Sequence, residues 1–198
     1  MNSTFVVLDI ETTGLSPYTH AITEIAAQKI SRGEVVEQFQ SLINPQTKIP
    51  RFITQLTGIT DEMVQDAPLI KDVLLELKEF LADHPVVAHN ASFDYKFLAY
   101  NFKIHHNYDM INQKICTRKL ATRLLPDLPS KKLSSLCEFY GLVNEASHTA
   151  MGDTQVTTKI FTNFCEDLKT AGCKHATQIE FFANAPTYKA RRLLNEGF

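Results

Sequence analysis

The stretch VVLDIETTGL, residues 6–15, constrains this chain more than any other. An apolar run of strand character ends in two acids, Asp9 and Glu11, with one residue between them. Side chains alternate along a strand, so both carboxylates point to the same side. Burial disfavours a carboxylate unless something compensates its charge. Two on one face also repel each other, and unless a cation bridges them one pKa rises sharply. Hard divalent ions such as Mg²⁺ prefer oxygen ligands of this kind. The acids fall at the carboxyl end of the strand, where open α/β sheets place their active sites.

The 198 residues are most simply one domain, large enough to bury a real core. With 44% hydrophobic and 21% charged residues, the composition is that of a soluble globular protein. Charges interrupt every apolar run, so no membrane span is expected. MNSTFVVLD has neither the basic start nor the long apolar run of a secretion signal, which predicts a cytoplasmic location. The cysteines Cys116, Cys137, Cys165 and Cys173 form no C-x-x-C pair and have no histidine cluster beside them. Buried free thiols are expected rather than zinc or disulfides. A net charge of −2 argues against coating nucleic acid through a global positive field. It leaves open a local grip on a short end. Basic residues cluster at Lys114–Arg123, at Lys131 and Lys132, and at Lys189–Arg192, each taken alone reading as a solvated helix face.

Residues 4–10 read as a buried strand. Residues 21–30 and 34–43, separated by Ser31, Arg32 and Gly33, predict a hairpin, although the alanines and acids of 21–30 also suit a helix. Residues 44–59 carry two prolines and a glycine and read as a loop with a tight turn. Thr60 is a candidate N-cap ahead of Asp61 and Glu62. Ile70, Val73, Leu74, Leu77 and Leu81 make one helical stripe. PVVAH, residues 85–89, is strand-like, ASFDYKFLAYNF helical, and KICT a short strand leading into a helix. LSSLCEFYGL is a helix closed by Gly141. The longest helix runs from near Ala150 to about Leu168, and a weaker helical tail covers roughly 176–195. A hairpin followed by helices alternating with short strands makes an α/β or α+β layered domain with a mixed sheet.

Further acids fall at element boundaries. Asp94 stands early in the helix after the strand at 85–89, and Asp153 in the first turn of the longest helix, where the dipole favours a carboxylate. His148 lies five residues before Asp153. Asp94 or Asp153 alone reads as a dipole-compensating surface acid, and His148 alone as a loop residue. The joint pattern reads differently. DIETTGL, AHNASFD and HTAMGD resemble, in order, the motifs D-x-E-T-T-G-L, H-N-A-x-F-D and H-x-A-x-x-D of the DEDDh family of 3′→5′ exonucleases. These are DnaQ-like enzymes of the type found in the proofreading epsilon subunit of DNA polymerase III. LTGITDEMVQDAP resembles the family's segment between the first two motifs. Thr149 departs from a frequent Arg, Ala27 from a Gly in many members, and Thr57 from a His in some.

The resemblance implies an α/β, ribonuclease H-like fold: a central mixed five-stranded sheet flanked by helices. It implies an exonuclease domain over 1–175, with 176–198 a helical tail packed on or extending it. It implies a two-metal-ion 3′→5′ exonuclease that releases 5′-mononucleotides from DNA 3′ ends, in proofreading or repair. By the resemblance Asp9, Glu11, Asp94 and Asp153 hold two divalent ions, Mg²⁺ or Mn²⁺, and His148 is the general base. Thr12, Gly14, Leu15, Thr57, Asn90 and Phe93 are the implied contacts to the terminal nucleotide.

Trimming of RNA 3′ ends by a member of the same family is the main alternative, since the motifs do not distinguish polymers by the 2′-hydroxyl. A haloacid dehalogenase-type phosphatase also ends a buried strand in two acids, but it needs D-x-D and leaves the other two motifs unexplained. A binding module without activity conflicts with the presence of all five motif residues. The expected partner is single-stranded DNA or a frayed 3′ end, with a DNA polymerase subunit as a further candidate. QIEFF, Gln178–Phe182, resembles the Q-x-x-hydrophobic-Phe peptides that bind the bacterial sliding clamp; the alternative is that Ile179, Phe181 and Phe182 pack the tail on the core.

Overall fold

The computed structural model describes residues 3–198. Strand β1 (Thr4–Thr12) lies at the centre of a five-stranded sheet with β2 (Ile22–Ser31), β3 (Glu34–Leu42), β4 (Val86–Ala88) and β5 (Lys114–Cys116), in the order β3-β2-β1-β4-β5. The hairpin β2–β3 and its pairing with β1 are antiparallel, whereas β4 and β5 run parallel to β1. This is the mixed sheet expected. Arg32 and Gly33 both take positive φ, 55° and 88°, as a two-residue turn matched to strand twist requires. The helix-compatible composition of residues 22–31 is overridden by position, because this strand is sandwiched between β1 and β3 and is almost wholly buried.

The two faces of β1 feed two cores. Phe5 and Val7 pack with Ile160, Phe161 and Phe164 of the helix α7 (Ala150–Thr170). Val6, Leu8 and Ile10 pack with Leu74, Leu77, Phe97 and Leu98 of the helices α3 (Ile70–Leu81) and α4 (Ser92–His106). Asp9 and Glu11 continue the row of Phe5 and Val7, so they emerge toward α7 where the apolar layer ends.

The segment expected as a loop at 44–59 contains a helix, α1 (Arg51–Thr57). Pro50 stands at its N-cap and Gly58 closes it in the left-handed conformation, so the residues that read as breakers mark its two ends. Ile53 joins Ile49, Ile59 and Val64 in a small satellite core. Thr60 caps α2 (Asp61–Val64), accepting from the Met63 N–H at 3.3 Å. The helices α5 (Thr117–Leu124) and α6 (Leu133–Tyr140) follow, the latter ending on Gly141 as expected.

The tail is two helices, α8 (Ala176–Asn184) and α9 (Thr187–Glu196), broken at Ala185–Pro186. Ile179 and Phe182 have no exposed surface and belong to the α7 core. The Gln178 side chain accepts from the Lys174 and His175 N–H groups at 2.8 and 3.0 Å, closing a capping box. Gln178 and Phe182 are thus engaged within the folded tail, while Phe181 between them is 47% exposed. Arg123 ties α5 to this tail by donating to the Ala185 carbonyl, and Lys119 donates to Asn184 at 2.7 Å. Part of the basic cluster at 114–123 is thus structural. Among the described residues no helix is long and apolar enough to cross a membrane.

Candidate active site

Three segments converge at the carboxyl end of β1. The strand itself delivers Asp9 and Glu11, and the first turn of α7 delivers Asp153. One carboxylate oxygen from each lies within 4.8 Å of the others. Asp94 arrives from a third direction, in the first turn of α4 beyond the end of β4, and is 2% exposed. Asn90 takes a left-handed φ of 70° to turn the chain from β4 into that helix.

The charges are uncompensated. Among the described residues no lysine or arginine forms an ion pair with any of the four acids. Burial, then repulsion from Asp153, Glu24 and Asp94, pushes Glu11 up to about 8. Burial pushes Asp94 up to about 7, against the opposing pull of the Asp94 and Ile10 N–H groups. Asp9 is raised well above the carboxylate range, first by burial and then by Asp94, Glu11, Asp153 and Glu24. Oxygen donors clustered this closely, with no internal cation, fit a hard divalent ion, which would reverse these shifts.

His148 is exposed on the turn before α7, with φ 65°. It lines a cavity with Asp153, Asn144 and Lys132. Thr149, the departure from the common Arg, is the N-cap of α7: its hydroxyl accepts from the Gly152 N–H at 3.1 Å and donates to the Ala146 carbonyl at 2.8 Å. The turn folds back so closely that a Cβ at Gly152 would lie 2.1 Å from the Ala146 oxygen. Glycine is therefore required where the third motif bends.

Leu15, Asn90 and Phe93 line a second cavity of about 230 Å³ with Pro17, Ser92 and Lys96. Leu15 is 86% exposed at its edge. Gly14 is buried against the His20 ring, where a Cβ would come within 2.1 Å of Cδ2. Two expected substrate contacts stand differently. The Thr12 hydroxyl donates to the Gly14 carbonyl at 2.7 Å, so it shapes the turn and has no free proton for a nucleotide. Thr57 is buried in α1, its hydroxyl donating to the Ile53 carbonyl and accepting from the Ile59 N–H, and it offers no free group to a substrate.

Three residues escaped the sequence reading. Asn144 donates from Nδ2 to Asp153 Oδ1 at 2.6 Å, a contact across a loop that no spacing rule marks. His89 pairs with the Thr117 hydroxyl at 2.9 Å, and burial with the nearby Arg118 pushes it down to about 4, so it is a neutral link between β4 and α5. Glu24 is a 5% exposed acid inside β2, opposite Glu11 in register. Its signal was present: an acid followed by the apolar run Ile25–Ala27 in a segment read as a strand.

Fold and site together define a ribonuclease H-like nuclease domain of the DEDDh type. The exonuclease family profile matches residues 6–161, and the chain belongs to that family. A DNA polymerase III PolC-type protein of Thermotoga petrophila is 40% identical over 189 residues, which is 96% of this chain but 14% of that protein. The chain thus spans about one seventh of that relative's length. Exonuclease X in complex with 5′ overhanging duplex DNA superposes with a TM-score of 0.74 at 28% identity, covering 91% of this chain and 99% of that one. The nuclease domain of 3′hExo, a DEDDh family member bound to rAMP, shares the fold with a TM-score of 0.73 at 20% identity, covering 84% and 93%. The match in family and fold sets aside the phosphatase alternative.

Proposed function

We propose that this chain removes 5′-mononucleotides one at a time from the 3′ end of single-stranded or frayed DNA, in the cytoplasm and in the service of polymerase proofreading or repair. The observation that carries it is the trio Asp9, Glu11 and Asp153, whose carboxylate oxygens come within 4.8 Å of one another with no lysine or arginine paired to them among the described residues. Asp9, Glu11 and Asp153, with Asp94 behind them, hold two divalent ions, Mg²⁺ or Mn²⁺. When bound, these ions supply Lewis-acid charge at the scissile phosphate. His148 takes the proton of the attacking water through an imidazole nitrogen. Asn144 holds the Asp153 carboxylate in place by its amide. Leu15 and Phe93 give the terminal base and sugar an apolar seat, Gly14 makes room for the His20 ring within the turn that carries Leu15, and Asn90 supplies a polar edge. DNA is favoured as substrate because the PolC-type relative and Exonuclease X, both above 25% identity, are DNA proteins by name or bound ligand.

The test is digestion of 3′-matched, 5′-labelled DNA and RNA oligomers with Mg²⁺ and with Mn²⁺, using Asp9→Ala and His148→Ala as controls. The expected result is a ladder from the DNA 3′ end that both variants lose. Preferential digestion of RNA overturns the choice of polymer. Equal digestion by wild type and Asp9→Ala overturns the site.

A further inference from the structure

Glu24 is the buried acid that the roles above leave unused. Both its oxygens are committed. Oε2 accepts from the Ala150 N–H at 3.0 Å, a contact between positions 126 residues apart, and Oε1 accepts from the Gln40 amide at 2.8 Å. Ala150 is the first residue of α7, so its N–H is one of those a helix cannot satisfy internally. One turn later the Thr154 hydroxyl donates to the Ala26 carbonyl at 3.2 Å. The first turn of α7 is therefore fastened to β2 at two points. Asp153 lies between those points, and His148 stands two residues before the first.

We propose that Glu24 is a positioning residue of the nuclease site: through Ala150 it fixes the start of α7 on β2, and so sets where Asp153 and His148 stand relative to Asp9 and Glu11. Glu24 lies outside the trio whose oxygens come within 4.8 Å of one another, and both its own oxygens are taken up by Ala150 and Gln40. The arrangement also gives the outer strands a part in the chemistry. Gln40 of β3 holds Glu24, Glu24 holds α7, and α7 carries the acid and the base. Groups that orient metal ligands from behind commonly change metal affinity or turnover by about 10–100-fold when lost.

Length and charge can be separated by two substitutions. Glu24→Gln removes the charge but keeps an oxygen for Ala150, and the Gln40 amide can turn to accept from the new NH₂. Glu24→Asp keeps the charge but is one methylene too short to span both partners. Turnover on a 3′ DNA end and Mn²⁺ affinity, read from the free-ion paramagnetic resonance signal, are measured for both. Glu24→Gln should stay within about 3-fold of wild type, while Glu24→Asp should lose about 10–100-fold in kcat and about 10-fold in Mn²⁺ affinity, with KM little changed. Full loss in Glu24→Gln, or wild-type values in Glu24→Asp, overturns the positioning role. Should Glu24→Asp not fold, near-wild-type behaviour of Glu24→Gln is still required. The inference rests on the exonuclease reading, but Mn²⁺ binding needs no substrate, so its outcome is distinguishable from a failure of that reading.

Discussion

Withdrawing divalent ions should turn the acid cluster into a pH-dependent load on the fold. Glu11 titrates near 4.5 in an unfolded chain and near 8 in the native protein. Between those values the native state holds a proton that the unfolded chain has released. The stability associated with that proton is fully present below about pH 4.5 and is lost as pH rises toward 8. At about 1.4 kcal/mol per tenfold change in proton affinity, the whole shift is worth roughly 5 kcal/mol, of which about 3 kcal/mol falls between pH 5.5 and 8.5. Asp94, raised to about 7, adds in the same direction. That is a large share of the ~5–15 kcal/mol that holds a typical domain together. An ion that binds only the native state restores about 2.7 kcal/mol at one hundred times its Kd. Urea denaturation followed by circular dichroism, at pH 5.5 and 8.5, in EDTA and in Mg²⁺, reads all four corners. The EDTA midpoint should fall with pH, Mg²⁺ should raise it more at pH 8.5, and Glu11→Gln should flatten the EDTA series. An EDTA midpoint equal at the two pH values would mean that the acids carry no proton-linked load.

Other changes separate site from scaffold. Asp9→Asn should abolish nucleotide release yet raise the metal-free melting temperature at pH 8, since it removes the most crowded charge; calorimetry checks the sign. Gly152→Ala forces a Cβ onto the Ala146 carbonyl and should cost about 1–3 kcal/mol together with at least tenfold in kcat, measured by urea titration and single-turnover digestion. Leu15→Ala, at a largely exposed position, should move stability by less than about 0.5 kcal/mol while raising KM for the oligomer several-fold. Phe182→Ala should destabilise by about 3–5 kcal/mol, and Gln178→Ala by about 1 kcal/mol through the lost capping box, both read from urea midpoints.

The separate pieces of this protein were legible in the linear sequence because each is a local matter. Alternation placed Asp9 and Glu11 on one face, helical periodicity found α3, and Gly141 and Thr60 marked helix ends by backbone chemistry alone. The resemblance added the partners Asp94, His148 and Asp153 and the ribonuclease H-like sheet. Local rules failed where a residue's meaning depends on what lies across the fold. Pro50 and Gly58 read as loop-formers, yet they bound a helix because Ile53 has a core to enter. Gln178–Phe182 could be read either as a peptide for a partner or as core packing, and only the fold shows that α7 gives Ile179 and Phe182 a buried seat. The resemblance implied Thr12 and Thr57 as substrate contacts, and the fold shows their hydroxyls bonded to nearby backbone. Strand parity and motif order are properties of the chain, and they point to the groups able to do chemistry. How those groups are held depends on long-range packing, because the contact between Glu24 and Ala150 and that between Asn144 and Asp153 exist only once β2, α7 and the loop before it are brought together.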